Sequence, residues 1–334
     1  MPDQSHNIPF IGLTSTIPVE IIFAAGMKPV DLNNLFITSE KPELLIKQAE
    51  SAGFSHNICA WIKGIYSAAL NNNIKQIIAV TGGDCSNTIA LAEILNRKGV
   101  KIISFEYPLN KDREFLASQM DRLRLALSTT WDKVEETRIH LDRIRAKLRE
   151  IDRLTFAGNV VTGLENHLFL VNSSDFNSDP DQYEERLDIF IEEAEKRTPR
   201  KGEIRLGYLG VPPVFSEFYE FIESMGGRVV FNEVQRQFSM PEPCGDIVGQ
   251  YLNYTYPYDI GGRIEDINRA VRERRLDGLI HYTQTFCFRQ LYDMIIRNES
   301  PVPVLTLEGD RPGKIDSRIA LRIETFIEML KDRK

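Results

Sequence analysis

Four cysteines stand at positions 59, 85, 244 and 287, and two of them fall in matched surroundings. Cys85 follows the apolar run Ile77-Ile78-Ala79-Val80 and the turn Thr81-Gly82-Gly83-Asp84. Cys287 follows Leu279-Ile280-His281-Tyr282 and the polar turn Thr283-Gln284-Thr285. Each reads as a short buried strand that turns and delivers a thiol to the start of the next helix, and Cys59, just after His56-Asn57, opens a third helix. Helix N-termini favour thiolates, so all three thiols are expected to have depressed pKa values. Three thiolates converging from different loops could hold a cubane iron-sulfur cluster with one iron left without a protein ligand, and an open position marks catalytic metal sites. Two other readings compete. A single free cysteine often behaves as a small buried hydrophobe, and all four together could form a zinc site, although no close CxxC pair is present. Matched positions in both halves favour the ligand reading for Cys85 and Cys287.

The match extends beyond the cysteines. Val100 and Val302 each follow their cysteine by 15 residues, and Glu106 and Glu308 each follow by 21. Those glutamates, at strand ends, could polarise or protonate a substrate, or else cap the next helix or pair with an arginine such as Arg311. Thr14-Ser15-Thr16, after the first strand, supplies hydroxyls at the same sheet edge or an N-cap before Pro18. His281 adjoins the Cys287 turn, where a lone histidine is more often structural than a ligand. Cys244, in Met240-Pro241-Glu242-Pro243-Cys244-Gly245-Asp246, has no counterpart in the first half and lies on no strand-to-helix turn; it is a bystander thiol or, if its loop folds over the cleft, a fourth ligand.

Positioning these residues calls for an α/β chain. The pattern predicts two pseudo-repeated flavodoxin-like or Rossmann-like domains with four-stranded, mostly parallel sheets, since strands alternate with helices. Residues 1–110 form the first and 200–334 the second, and a long helical connector spans 111–199. In the first, strands are expected at 10–14, 29–32, before Cys85 and at 100–105, with helices at 18–25, 41–52 and 58–70. The charged segment 112–154 is one long helix or a hairpin broken near Ser128-Thr129-Thr130, and 180–196 is another helix. Thr198-Pro199-Arg200-Lys201-Gly202 reads as the linker. The second domain repeats the first, with strands at 204–209, 228–232, up to Tyr282 and at 302–307, and helices at 214–225, 263–275, after Cys287 and at 316–330. Residues 233–259, with Pro241, Pro243 and Pro257, read as a long irregular loop.

With 334 residues the chain has room for two cores, and 42% apolar with 27% charged residues is ordinary for a globular protein. A net charge of −7, from 41 basic and 48 acidic residues, argues against a nucleic-acid surface. No apolar run approaches the ~18 residues of a membrane span, and no basic segment with an apolar h-region opens the chain. A cytoplasmic protein with reduced thiols is expected. Gly309-Asp310-Arg311-Pro312-Gly313-Lys314 is one residue short of a phosphate loop and lacks its Ser or Thr, and no GxGxxG occurs. A redox function would need an external electron donor.

Four stretches carry a family resemblance. They are Ile17-Pro18-Val19-Glu20-Ile21-Ile22-Phe23-Ala24-Ala25-Gly26-Met27-Lys28-Pro29-Val30, the Asp84-Cys85 turn, Asp277-Gly278-Leu279-Ile280 leading to Phe286-Cys287, and Leu307-Glu308-Gly309-Asp310 with Arg322-Ile323-Glu324-Thr325-Phe326-Ile327-Glu328-Met329-Leu330. Together they resemble the 2-hydroxyacyl-CoA dehydratase and benzoyl-CoA reductase family. The resemblance implies two flavodoxin-like domains clasping a 4Fe-4S cluster through Cys59, Cys85 and Cys287. It also implies a dimer, oxygen sensitivity, and single low-potential electrons from a separate ATP-hydrolysing iron-sulfur activator. The implied chemistry is one-electron reduction of a small substrate, an acyl-CoA thioester, to a ketyl radical anion and loss of its 2-hydroxyl as water, or a related reduction. Ser15 and Glu308 are then candidate catalytic residues, and Thr14, Thr16, Glu106 and Arg311 candidates to contact substrate. The chain is shorter than the subunits of the well-known heterodimers, which leaves a homodimeric enzyme or the electron-relaying half of a heterodimer. Four cysteines do not supply the ligands of a double-cubane cluster.

Overall fold

The apolar run Ile77-Ile78-Ala79-Val80 is fully buried because it lies inside a sheet covered by helices on both faces, where a parallel strand must be apolar throughout. The computed structural model describes residues 8–201 and 203–334; the sequence readings at residues 1–7 and at Gly202 of the linker lie outside them. The first half runs β1 (Phe10–Leu13), α1 (Val19–Ala24), β2 (Lys28–Asp31), α2 (Leu32–Ile37), α3 (Pro42–Ser51), α4 (Ala60–Asn71), β3 (Gln76–Gly82), α5 (Asn87–Arg97) and β4 (Lys101–Glu106). Its strands are all parallel, in the order β2-β1-β3-β4.

The connector holds α6 (Arg113–Ala126), α7 (Trp131–Arg153), α8 (Gly163–Asn172) and α9 (Pro180–Glu195). Of the two forms left open for 112–154, the broken one is observed. Ser128 takes a φ of 56°, and Thr130 begins α7 by accepting from the Lys133 N–H. α8, which the sequence reading omits, begins with a capping box between Thr162 and Glu165.

The second half runs β5 (Ile204–Leu209), β6 (Phe215–Ser216), α10 (Phe218–Ser224), β7 (Gly227–Asn232), α11 (Glu233–Phe238), α12 (Ile247–Asn253), α13 (Ile260–Arg274), β8 (Gly278–Thr283), α14 (Tyr292–Glu299), β9 (Val304–Glu308), β10 (Gly313–Lys314) and α15 (Ser317–Asp332). The order β7-β5-β8-β9, again all parallel, repeats the first sheet. The repeat reaches single residues: Gly12 of β1 faces Ile77 of β3, and Gly207 of β5 faces Leu279 of β8. A Cβ on Gly207 would come within 2.6 Å of the Leu279 side chain, so the central strand needs a glycine where its neighbour is bulky.

Two expectations are corrected. The helix expected over 214–225 is split, because Phe215–Ser216 pairs with Gly313–Lys314 as a two-stranded ribbon and Glu217 turns at a φ of 64° before α10. Residues 233–259 are not an irregular loop but carry α11 and α12. Asp246 caps α12 by accepting from the Gly249 N–H at 2.9 Å, and Tyr251, Tyr254 and Tyr258 are buried. These tyrosines join Ile11, Leu13, Val80 and the connector's Leu141, Ile144 and Leu148 in one core against the first sheet. Among the described residues no helix is long and apolar enough to cross a membrane.

Candidate functional site

In each sheet the chain leaves its first strand toward one side and returns on the other, so β1 and β3, like β5 and β8, flank a crevice at their carboxyl ends. Ligands bind at such switch points in open α/β sheets. Here the two crevices share one cavity of about 140 Å³. The turn after β1 contributes Thr14, Ser15 and Thr16, and the turn after β3 contributes Asp84 and Cys85. The turn after β5 contributes Gly210 to Pro212, and the end of β8 and its turn contribute His281 to Gln284 and Cys287. Cys59, Trp61, Ile62 and Ile65 come from the start of α4.

Cys59, Cys85 and Cys287 therefore line the same cavity, and all three are half-buried free thiols. Cys59 is the N-cap residue of α4, and its Sγ donates to Gln284 Oε1 at 2.9 Å, a contact between the two halves. The expectation of depressed pKa values is corrected at Cys59 and Cys85. Burial pushes the Cys59 thiol up to about 12, against which the Trp61 and Ile62 N–H groups of the helix start pull only partly. Burial also raises the Cys85 thiol, with the Asn87 N–H opposing it. Desolvation outweighs the helix terminus at both.

The other candidates divide by position. Ser15 faces the cavity and has no side-chain hydrogen bond among the described residues. Its loop is clamped from both sides, since Tyr107 Oη donates to the Thr16 carbonyl at 2.9 Å and Tyr251 Oη to the Ile17 carbonyl at 2.8 Å. Thr14 Oγ1 accepts from the Val80 N–H at 3.0 Å and so ties β1 to β3 rather than capping a helix. Thr16 Oγ1 is buried without a partner among the described residues. His281 pairs through Nδ1 with Asp293 at 2.7 Å, which anchors α14 to β8. Glu106 and Glu308 sit in equivalent places at the ends of β4 and β9 but outside the cavity lining. Arg311 also lies outside it, with its guanidinium 3.5 Å from Glu50 rather than paired with Glu308. Cys244 stands apart against Gly249 of α12, its carbonyl accepting from Arg138 at 3.1 Å.

Several lining residues carry no signal in the sequence. Asp31 caps α2 by accepting from Asn33 N–H at 2.9 Å, and burial raises its pKa. Arg263 is locked to Glu233 by bonds of 2.6 and 2.8 Å, and Glu233 in turn accepts from the Gly210 N–H at 3.1 Å, which fixes the turn after β5. Arg289, two residues after Cys287, lies on the cavity wall over the Tyr256 ring.

Three cysteine side chains in one lining have the donor chemistry that a cluster uses. Among the described residues no three His, Cys, Asp or Glu side chains converge as ligands of one metal ion would, and the fourth cysteine is elsewhere, so a zinc site has no ligand set. A cubane binds each thiolate at a different iron and does not require them to meet at one point. No curated protein matches the chain. The family model described as 2-hydroxyglutaryl-CoA dehydratase, D-component, matches residues 14–330, which take in the connector, every cysteine and all strands of both sheets except β1, and the chain belongs to that family.

Proposed function

We propose that the chain is the cluster-bearing component of a 2-hydroxyacyl-CoA dehydratase or related reductase, in which Cys59, Cys85 and Cys287 hold a 4Fe-4S cluster beside a pocket for a small acyl-CoA substrate. The observation that carries the reading is that three thiols from three strand or helix starts, drawn from both halves, line one cavity while the fourth cysteine stands outside it. When bound, such a cluster supplies single low-potential electrons and an iron without a protein ligand.

The chain's own residues then have separate tasks. Trp61, Ile62, Ile65 and Val211 exclude water, which strengthens every charge interaction inside. Gln284 orients Cys59 across the cleft. A 2-hydroxyl leaves as water only if a proton reaches it, and the cavity offers the Ser15 hydroxyl and the Asp31 carboxyl, whose pKa burial raises. By the family likeness, electrons come from a separate ATP-hydrolysing iron-sulfur activator, and the enzyme assembles as a homodimer or with a related subunit.

Protein isolated without oxygen is expected to contain iron and acid-labile sulfide in the 4Fe-4S ratio. Its electron paramagnetic resonance signal after reduction is expected to change when an acyl-CoA is added. Zinc in place of iron would overturn the reading, and a cluster signal indifferent to every acyl-CoA would assign the chain to electron relay.

A further inference from the structure

Arg289 is only 8% exposed, yet its Nε and Nη1 have no hydrogen-bond partner among the described residues. Its one bond runs from Nη2 to the Gly83 carbonyl at 3.1 Å, and the nearest carboxylate, Asp84, is 3.9 Å away, beyond hydrogen-bond reach. The guanidinium lies 4.0 Å from the centre of the Tyr256 ring, which fixes its plane but satisfies none of its N–H groups. Buried donors left unpaired are costly, and a guanidinium keeps its charge, so this one is built to receive an anion.

We infer that Arg289 receives the single carboxylate of a small substrate in the cavity lined by Cys59, Cys85 and Cys287; this rests on that cavity being a substrate site. Charge selects the class. The other arginine on the wall, Arg263, is already neutralised by Glu233 through two bonds, and Asp84 adds a negative charge near Arg289. With Asp84 already 3.9 Å from the guanidinium, each further negative charge adds repulsion, so a monoanion is accommodated better than a phosphate dianion. Trp61, Ile62, Ile65, Val211 and Phe238 give the lining an apolar portion that accepts the carbon chain of an organic acid.

The test is equilibrium dialysis of the full chain, purified without oxygen, against radiolabelled propionate, propionamide and inorganic phosphate, with iron per chain measured on the same samples. Wild type is expected to bind propionate in preference to both others, and binding is expected to weaken by roughly tenfold or more in Arg289→Gln, the loss of a charge-assisted hydrogen bond. Arg289→Lys, which keeps the charge, is expected to fall in between, with iron content unchanged in both variants. Equal binding of propionate and propionamide, preference for phosphate, or undiminished propionate binding by Arg289→Gln would each overturn the inference. Loss of iron in Arg289→Gln with propionate binding intact would also overturn it, by giving the guanidinium to the cluster. If wild type holds no iron but binds propionate through Arg289, the inference stands and the cluster reading fails.

Discussion

Cys59 and Gln284, 225 positions apart, meet across the cleft with the thiol donating to the carboxamide oxygen at 2.9 Å. A serine hydroxyl can make the same bond, so Cys59→Ser is expected to keep its fold while losing a metal ligand. Cys59→Ser, Cys85→Ser and Cys287→Ser are each expected to lose most of their iron under anaerobic purification, with melting temperatures near that of wild type. Cys244→Ser is expected to retain iron, since Cys244 lies off the cavity. Iron loss in all four would require a fourth protein ligand and close the iron that the proposed chemistry needs open.

Glu20, fully buried, accepts from Arg145 at 2.8 Å, Gln250 at 2.7 Å and Tyr251 at 2.8 Å. Burial pushes its carboxyl up, but the Arg145 charge and these hydrogen bonds outweigh it and hold the pKa below the usual range. Without Glu20 the buried Arg145 keeps only the partly exposed Asp142 at 3.4 Å, so Glu20→Ala is expected to destabilise the protein by about 3–5 kcal/mol. Urea unfolding measures this; a change below about 1 kcal/mol would mean that water reaches Arg145.

Asp175 Oδ2 accepts from the Asp31 N–H at 2.7 Å, and burial together with the neighbouring Asp31 charge raises its pKa to about 7. The folded state thus holds this proton more tightly than the unfolded chain. The stability from Asp175 is fully present below the ordinary carboxyl range and is lost as pH rises from about 4 through 7. Asp175→Asn is expected to flatten that part of the pH profile of thermal unfolding. An unchanged profile would assign the dependence to other groups.

Gly64 lies in α4, the helix that begins at Cys59, and a Cβ there would fall 2.2 Å from the Phe36 ring. Replacing a helical glycine by alanine normally stabilises by up to about 1 kcal/mol, but overpacking of this kind costs about 1–3 kcal/mol. The ring is itself wedged edge-on against Trp61 at 5.4 Å. Gly64→Ala is therefore expected to lower stability and reduce iron retention by displacing the start of α4. Measured stabilisation would show that Phe36 can move aside.

Much of the fold is legible in the sequence because parallel strands announce themselves as apolar runs between glycine-rich turns, and the repeat places them at equal spacing. What escapes is decided by packing. The aromatic-rich segment 251–258 looks irregular because Pro257 and scattered tyrosines show no helical period, although the tyrosines fill a core. The α8 start was readable from Thr162 and Glu165. The three cavity cysteines are visible by their turns, but the raised pKa of Cys59 and Cys85 is not, since a helix start is local and burial is not. Arg289 carries no signal in the sequence beyond standing beside a cysteine. Tyr256 and the Gly83–Asp84 turn, both from distant segments, cover it.

Tyr251, Tyr254 and Tyr258 leave the second half to complete the core beneath the first sheet. Two repeats joined this way are no longer beads on a string, because each is finished with material from elsewhere in the chain. A proteolytic nick between α9 and β5 would yield fragments that stay together through separation, and unfolding would proceed as one event. The cleft also cannot swing open like a shell without pulling Tyr251 from the Ile17 carbonyl and Glu20.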